Sequence, residues 1–440
     1  MSVETLIDEL FKKLELEGIN LPSLYNANKK EFDTKKDWVY YSGPVWDYNE
    51  PREAMKAFMT GAWLVAGEKC SRFEKDFSKK FGFKSSLMVN SGSSANLVMI
   101  ASTKKFLNWQ DGDEVIVSPV GFPTTIAPLV QNNLKPVFTD INMIDLNFDL
   151  NQVEAAITSK TRAIFISPVL GNPPDMDRLV EMARKHKIEL LLDGCDSLGS
   201  KWKGKELSEY AFVTSCSFYP AHHITTGEGG MVSSNHEALI ALARSFAWWG
   251  RDCYCVGAVN LSKVGACGKR FDKWLDGFEG KIDHKYYFSN MGYNLKPMDM
   301  QGALGIEQLK KFDFIHTGRI SAKNKIAAIF QKHLGDMISI PEELGHAETS
   351  WFGVPIICLQ TGLKEKLVEF LEANRIQTRN YFAGNILQHP GYAHLDNKNK
   401  YPNANQVLSK VFFVGCSPNY LDGVFDYYEE VLTKFKGQLL

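Results

Sequence analysis

No stretch of this 440-residue chain approaches the run of about 18 apolar residues that a membrane-crossing helix needs. Net charge is also nearly absent, with Lys+Arg 50 set against Asp+Glu 51. Nucleic acid or an anionic membrane would therefore find no bulk electrostatic attraction, and neither is expected as a partner. The amino-terminal stretch MSVETLIDELFKKLELEGI is charged and amphipathic and lacks the apolar core of a secretory signal. A cytoplasmic location is expected. Internal repeats and low-complexity tracts are missing too.

Disulfide staples are not expected, because a reducing compartment keeps the eight cysteines as thiols. Cys70, Cys216, Cys358 and Cys416 sit in apolar or helical surroundings and read as small buried hydrophobes. Cys195, Cys253, Cys255 and Cys267 follow the spacing Cys-x57-Cys-x-Cys-x11-Cys. Four thiolates suit a [2Fe-2S] cluster or tetrahedral zinc, and a Cys-x-Cys pair is less usual for zinc.

What the chain does have is an ordinary globular composition, 44% hydrophobic and 23% charged. Its length allows one large core and a smaller one. Residues 1–60 read as an N-terminal arm with one helix, 61–314 as a large domain and 315–440 as a smaller α+β domain. Glu68–Phe81 carries Cys70, Phe73, Phe77 and Phe81 at helical spacing. Ser86–Asn90, Glu114–Ser118, Ala163–Ser167, Glu189–Asp193 and Phe212–Phe218 are apolar runs of strand length. Helical stretches such as Ala95–Phe106 and Met176–Lys187 lie between them. This alternation predicts a mostly parallel sheet covered on both faces, with chemistry at the carboxyl ends of its strands.

Several short segments carry functional signals. Ser91-Gly92-Ser93-Ser94 joins a strand end to a helix start, where free amides and the helix dipole favour a phosphate. Asp193 ends an apolar strand and reads either as an acid at the sheet edge or as a helix cap. Phe122 in Gly121-Phe122-Pro123-Thr124-Thr125 is a ring plate or ordinary core, and Arg379 is a phosphate ligand or a surface ion pair.

Taken in order, these segments and the stretch Ser217-Phe218-Tyr219-Pro220-Ala221-His222-His223 through Gly230 resemble the DegT/DnrJ/EryC1/StrS sugar aminotransferase family. The resemblance implies a pyridoxal-phosphate (PLP) transferase of fold type I, aspartate aminotransferase-like. It assigns phosphate contacts to Ser93, Ser94 and Ser217, the pyridine-nitrogen acid to Asp193 and the ring plate to Phe122. Asp196 stands where the family carries histidine or glutamine near the ring's 3-hydroxyl. Gly292-Tyr293-Asn294-Leu295-Lys296 resembles the segment that reaches the neighbouring subunit's phosphate, implying a homodimer; Lys296 replaces the usual arginine, so Asn294 is the contact carried over.

At position 222 the family places the lysine that binds the cofactor covalently. Histidine cannot form that bond, so pyridoxamine phosphate (PMP) is expected to be held non-covalently, with His222 as general base and His223 as the alternative. Histidine here marks the family's sugar dehydratases. The four cysteines resemble those of the iron–sulfur branch, which implies Cys195, Cys253, Cys255 and Cys267 as cluster ligands. In that branch a nucleotide-linked 4-keto-6-deoxy sugar loses its C3 hydroxyl, and an NAD(P)H-dependent iron–sulfur flavoprotein reductase supplies electrons. The expected substrate is CDP-4-keto-6-deoxyglucose, in 3,6-dideoxysugar and O-antigen biosynthesis, with Arg379 facing the nucleotide sugar. Alternatives are a cluster-free dehydratase, a dTDP-sugar 3-dehydratase, and a non-catalytic sugar-nucleotide sensor.

Overall fold

Seven strands build the central sheet of the computed structural model, which describes residues 1–19, 21, 31–61, 63–252, 271 and 275–439. They are β1 (Ser85–Val89), β2 (Glu114–Val117), β3 (Lys135–Phe138), β4 (Thr161–Ile166), β5 (Glu189–Asp193), β6 (Val213–Ser217) and β7 (Gly230–Ser234). Their spatial order is β1-β7-β6-β5-β4-β2-β3. Every neighbouring pair is parallel except those made by β7, which runs against both β1 and β6. The expected α/β architecture with a mostly parallel sheet is therefore present. The segments Ala163–Ile166 of β4 and Leu190–Leu192 of β5 are continuous apolar runs, as expected of strands buried on both faces.

Two strands lacked a sequence signal. β3 contains Pro136 and sits at the sheet edge, where a missing N–H is tolerated. β7 has only Met231 and Val232 between glycine and serine. The N-terminal arm also differs from expectation: it holds two helices, Val3–Leu16 and Asn49–Thr60, not one. The second is polar, with Pro51 in its first turn, and it packs on the helix Asp299–Lys310.

Beyond the sheet, the helix Phe312–Leu334 runs straight through residue 314, where a domain boundary was expected. It leads to a four-stranded antiparallel sheet ordered Ile338–Ser339, Val354–Cys358, Val411–Val414 and Thr378–Asn380. Cys70, Cys216, Cys358 and Cys416 are free and buried, as their apolar contexts suggested.

Glu74 locks one end of the sheet. Its carboxylate accepts from Arg244 at 3.2 and 2.8 Å and from the Met88 N–H of edge strand β1 at 2.8 Å. Glu74→Ala would leave a half-buried guanidinium and a strand amide unpaired. Urea unfolding should show a loss of about 3–5 kcal/mol; a loss below about 1 kcal/mol would mean that water already satisfies both groups.

Candidate active site

Because β7 is reversed, β1 and β6 run the same way as β5, and all three end at one edge. Ser91, just beyond β1, caps the helix Gly92–Phe106 by accepting the Ser94 N–H at 3.1 Å. That helix begins earlier than expected, which puts Gly92 and Ser93 in its first turn. A Cβ at Gly92 would lie 2.4 Å from the Ser217 Cβ, so only glycine lets the helix start approach the end of β6. The result is a corner of unpaired amides flanked by Ser93 and Ser217, which can seat a dianion. Ser94 is placed otherwise than expected. Its hydroxyl meets that of Ser91 at 3.0 Å and does not line the cavity.

Asp193 caps no helix; it is a buried acid at the end of β5. Its Oδ2 accepts from Asn96 Nδ2 at 2.8 Å and from Thr125 Oγ1 at 2.7 Å. Asn96 is itself held by Ser215, whose hydroxyl donates to it at 2.6 Å. The other oxygen, Oδ1, meets only the Cys195 N–H, at 3.3 Å. Asp193 thus presents an under-used oxygen to the cavity.

His222 occupies the turn after β6, and its N–H donates to the Tyr219 carbonyl at 2.9 Å. Its Nδ1 stands 3.5 Å from Asp196 Oδ1 and has no hydrogen-bond partner. Burial, and then the charge of Arg319, push the imidazole down to about 3. Burial, and then the neighbouring Asp193, push the Asp196 carboxyl up to about 7. Near neutral pH a neutral imidazole therefore faces a carboxyl that is half protonated. No full ion pair forms, in keeping with the long separation. Asp196 also accepts the N–H of Leu170, at 3.2 Å, from a residue held at φ 57°. His223 points elsewhere: it is buried, with Nε2 2.8 Å from the Ser350 carbonyl, and does not line the cavity.

These groups open into one cavity of about 750 Å³. Phe122, half exposed, stands edge-on to Phe382 at 6.1 Å. Arg379 reaches the cavity from the four-stranded sheet, and its guanidinium lies 4.1 Å above the Tyr41 ring. Sequence reading missed Tyr41, Asn96, Phe352 and Phe382 on these walls. Cys195 is on the wall as well, and burial followed by Asp193 raises its thiol well above the usual value. Cys253, Cys255 and Cys267 lie outside the described residues, among which no group of three potential ligands is assembled. Asn294 is not on this wall. It accepts from Lys296, whose ammonium lies 3.2 Å over the Trp249 ring.

Among the described residues no lysine lines the cavity. Lys201 is paired with Glu348 at 3.0 Å and Lys203 with Asp177 at 2.7 Å, while Lys205 is exposed. A model of the DegT/DnrJ/EryC1/StrS aminotransferase family matches residues 47–427. The chain belongs to that family. Among its curated family relatives is the dTDP-4-dehydro-2,6-dideoxy-D-glucose 3-dehydratase of Saccharopolyspora spinosa, 38% identical over 90% of this chain and 86% of the relative. The lipopolysaccharide biosynthesis protein RfbH of Salmonella typhimurium is 36% identical, covering 90% and 91%. Among solved family structures, an E. coli GDP-4-keto-6-deoxy-D-mannose-3-dehydratase with bound hydrated PLP superposes with a TM-score of 0.76 at 31% identity. That match covers 90% of this chain and 99% of the other. No helix among the described residues is long and apolar enough to cross a membrane.

The raised acid makes a pH prediction. A carboxyl that moves from 3.8 to about 7 on folding binds more protons in the folded state across that window. Its contribution to stability then falls as pH rises through the window. Asp196→Asn removes this titration. In urea titrations of the ligand-free protein, the variant should gain stability relative to the parent from about pH 4 to about pH 7. A difference that does not change with pH would show that water reaches Asp196.

Proposed function

We propose that the protein is a nucleotide-sugar 3-dehydratase that binds PMP without a covalent tether and removes the C3 hydroxyl of a 4-keto-6-deoxyhexose. One observation carries the reading: the cavity beside Asp193 offers an imidazole, and among the described residues no lysine lines it. The named 3-dehydratases among the relatives, and a solved one that binds hydrated PLP, support the same class.

The residues fit a pyridoxamine phosphate. The Ser91–Ser93 turn and Ser217 form a cradle that a Cβ at Gly92 would fill, and they would hold its phosphate. The free side of Asp193 would keep its ring nitrogen protonated, Phe122 would cover the ring, and Asp196 would face its 3-oxygen. Bound there, the cofactor supplies an amine for the 4-keto group and a ring that withdraws electrons. His222 is neutral and has a lone pair free to take a proton as general base, and the negative charge of the bound phosphate would have to offset the burial and the Arg319 charge that weaken it. The proton it accepts, held beside Asp196, can then pass to the departing C3 hydroxyl, which leaves as water. Arg379 would bind the nucleotide phosphates. Asn294, off this chain's own wall, would serve the second active site of a homodimer.

The finer reading adds a [2Fe-2S] cluster held by Cys195, Cys253, Cys255 and Cys267, fed by a partner reductase, with CDP-4-keto-6-deoxyglucose as substrate. The cysteine spacing and the position of Cys195 on the cavity wall support it. Thiolate ligation there must overcome burial and the charge of Asp193.

Borohydride treatment of the loaded protein should leave no cofactor attached to the polypeptide. His222→Asn should retain PMP and lose turnover by about 10²–10⁴-fold. Covalent capture of the cofactor would overturn the reading. Anaerobically purified protein should contain iron and labile sulfide, and Cys195→Ser should lose both. Full turnover by iron-free protein would leave the dehydratase and remove the cluster. Comparing kcat/KM for CDP-, dTDP- and GDP-linked sugars selects the nucleotide.

A further inference from the structure

Arg319 is 2% exposed, lies on the helix Phe312–Leu334, and makes no ion pair with a carboxylate among the described residues. Its guanidinium is spent chiefly on main-chain carbonyls instead, with the Cys416 thiol and the Phe352 ring also beside it. Nη1 donates to Phe352 O at 3.0 Å, and Nη2 donates to both Ala221 O and His222 O at 3.2 Å. Burying a cation against neutral acceptors, with no carboxylate paired to it, is costly. The acceptors are not arbitrary. Ala221 and His222 form the turn that carries the imidazole, and Phe352 packs its ring 5.1 Å from that imidazole. Ser42 adds a second donor to the Ala221 carbonyl, at 2.5 Å.

We propose that Arg319 is a positioning residue for the base: it pins the His222 turn and the Phe352 segment to one helix and so fixes the imidazole's direction into the cavity. The proposal rests on His222 acting as the base, as argued above. Its effect on cofactor affinity is small, because none of the phosphate or Asp193 contacts runs through Arg319; its charge also bears on His222 and Asp196, which Arg319→Lys retains and Arg319→Met removes. The planar fork reaches these acceptors from two nitrogens in fixed directions, which the single nitrogen of an ammonium cannot do.

Arg319→Met keeps the side-chain volume and removes the donors. Relative to the parent holoenzyme, kcat should fall about 100-fold, the effect of displacing a catalytic group by about 1 Å. KM and the Kd for PMP should stay within about threefold, and Arg319→Lys should recover part of the rate. Ile326→Ala, a buried truncation on the same helix, should lower Tm without this loss of kcat. The imidazole is read directly by a ligand-free crystal structure: one His222 rotamer in the parent, more than one in Arg319→Met. That readout is independent of which reaction the protein catalyses, so it separates this proposal from the dehydratase assignment. If Arg319→Met does not fold, Ser42→Ala removes the other donor to the turn and should reduce kcat several-fold at constant PMP affinity. Unchanged kcat in the variant that folds would overturn the proposal. So would a loss matched by Ile326→Ala, or a single His222 rotamer in Arg319→Met.

Discussion

The site depends first on how one carboxylate is held. Asp193 ends β5, yet two helix starts reach it: Asn96 from the first turns of Gly92–Phe106 and Thr125 from Pro123–Gln131. Both donors take the same oxygen. This keeps the acid from rotating and leaves its second oxygen toward the cavity. Every other group is placed by reference to this arrangement. The anion corner opens one strand away, and Cys195 and Asp196 follow within the same turn. Without Asn96 and Thr125 the buried carboxylate would lose two of its hydrogen-bond donors.

Desolvation does the remaining tuning. The same burial drives His222 toward neutrality and Asp196 toward protonation, so two groups that would form a salt bridge in water form none here. A base must be free to accept a proton, and a salt-bridged imidazolium is not. Arg319 contributes from behind, as a fixed cation among backbone carbonyls.

Much of this was legible in the chain because turn chemistry and strand ends leave local marks. Ser91-Gly92-Ser93, Asp193 and the His222 segment are adjacent in sequence to the elements that place them. The four-stranded sheet and its aromatic wall were not legible, since Phe352 and Phe382 among 28 phenylalanines look like core. Arg319 was hidden for another reason. In Thr317-Gly318-Arg319-Ile320 a lone arginine reads as a solvated helix face, and only tertiary packing buries it. β7 was missed because its two apolar residues make no period. Asn294 is off the wall of its own chain.

The closeness of His222 and Asp196 bears on how such a site could change its chemistry. A primary amine introduced at position 222 would meet a carboxyl 3.5 Å from where the imidazole now stands. Amine and acid would exchange a proton, and the ammonium so formed has no lone pair with which to attack a carbonyl. A lysine placed at 222 would thus be held as an ammonium unless residue 196 were replaced with it.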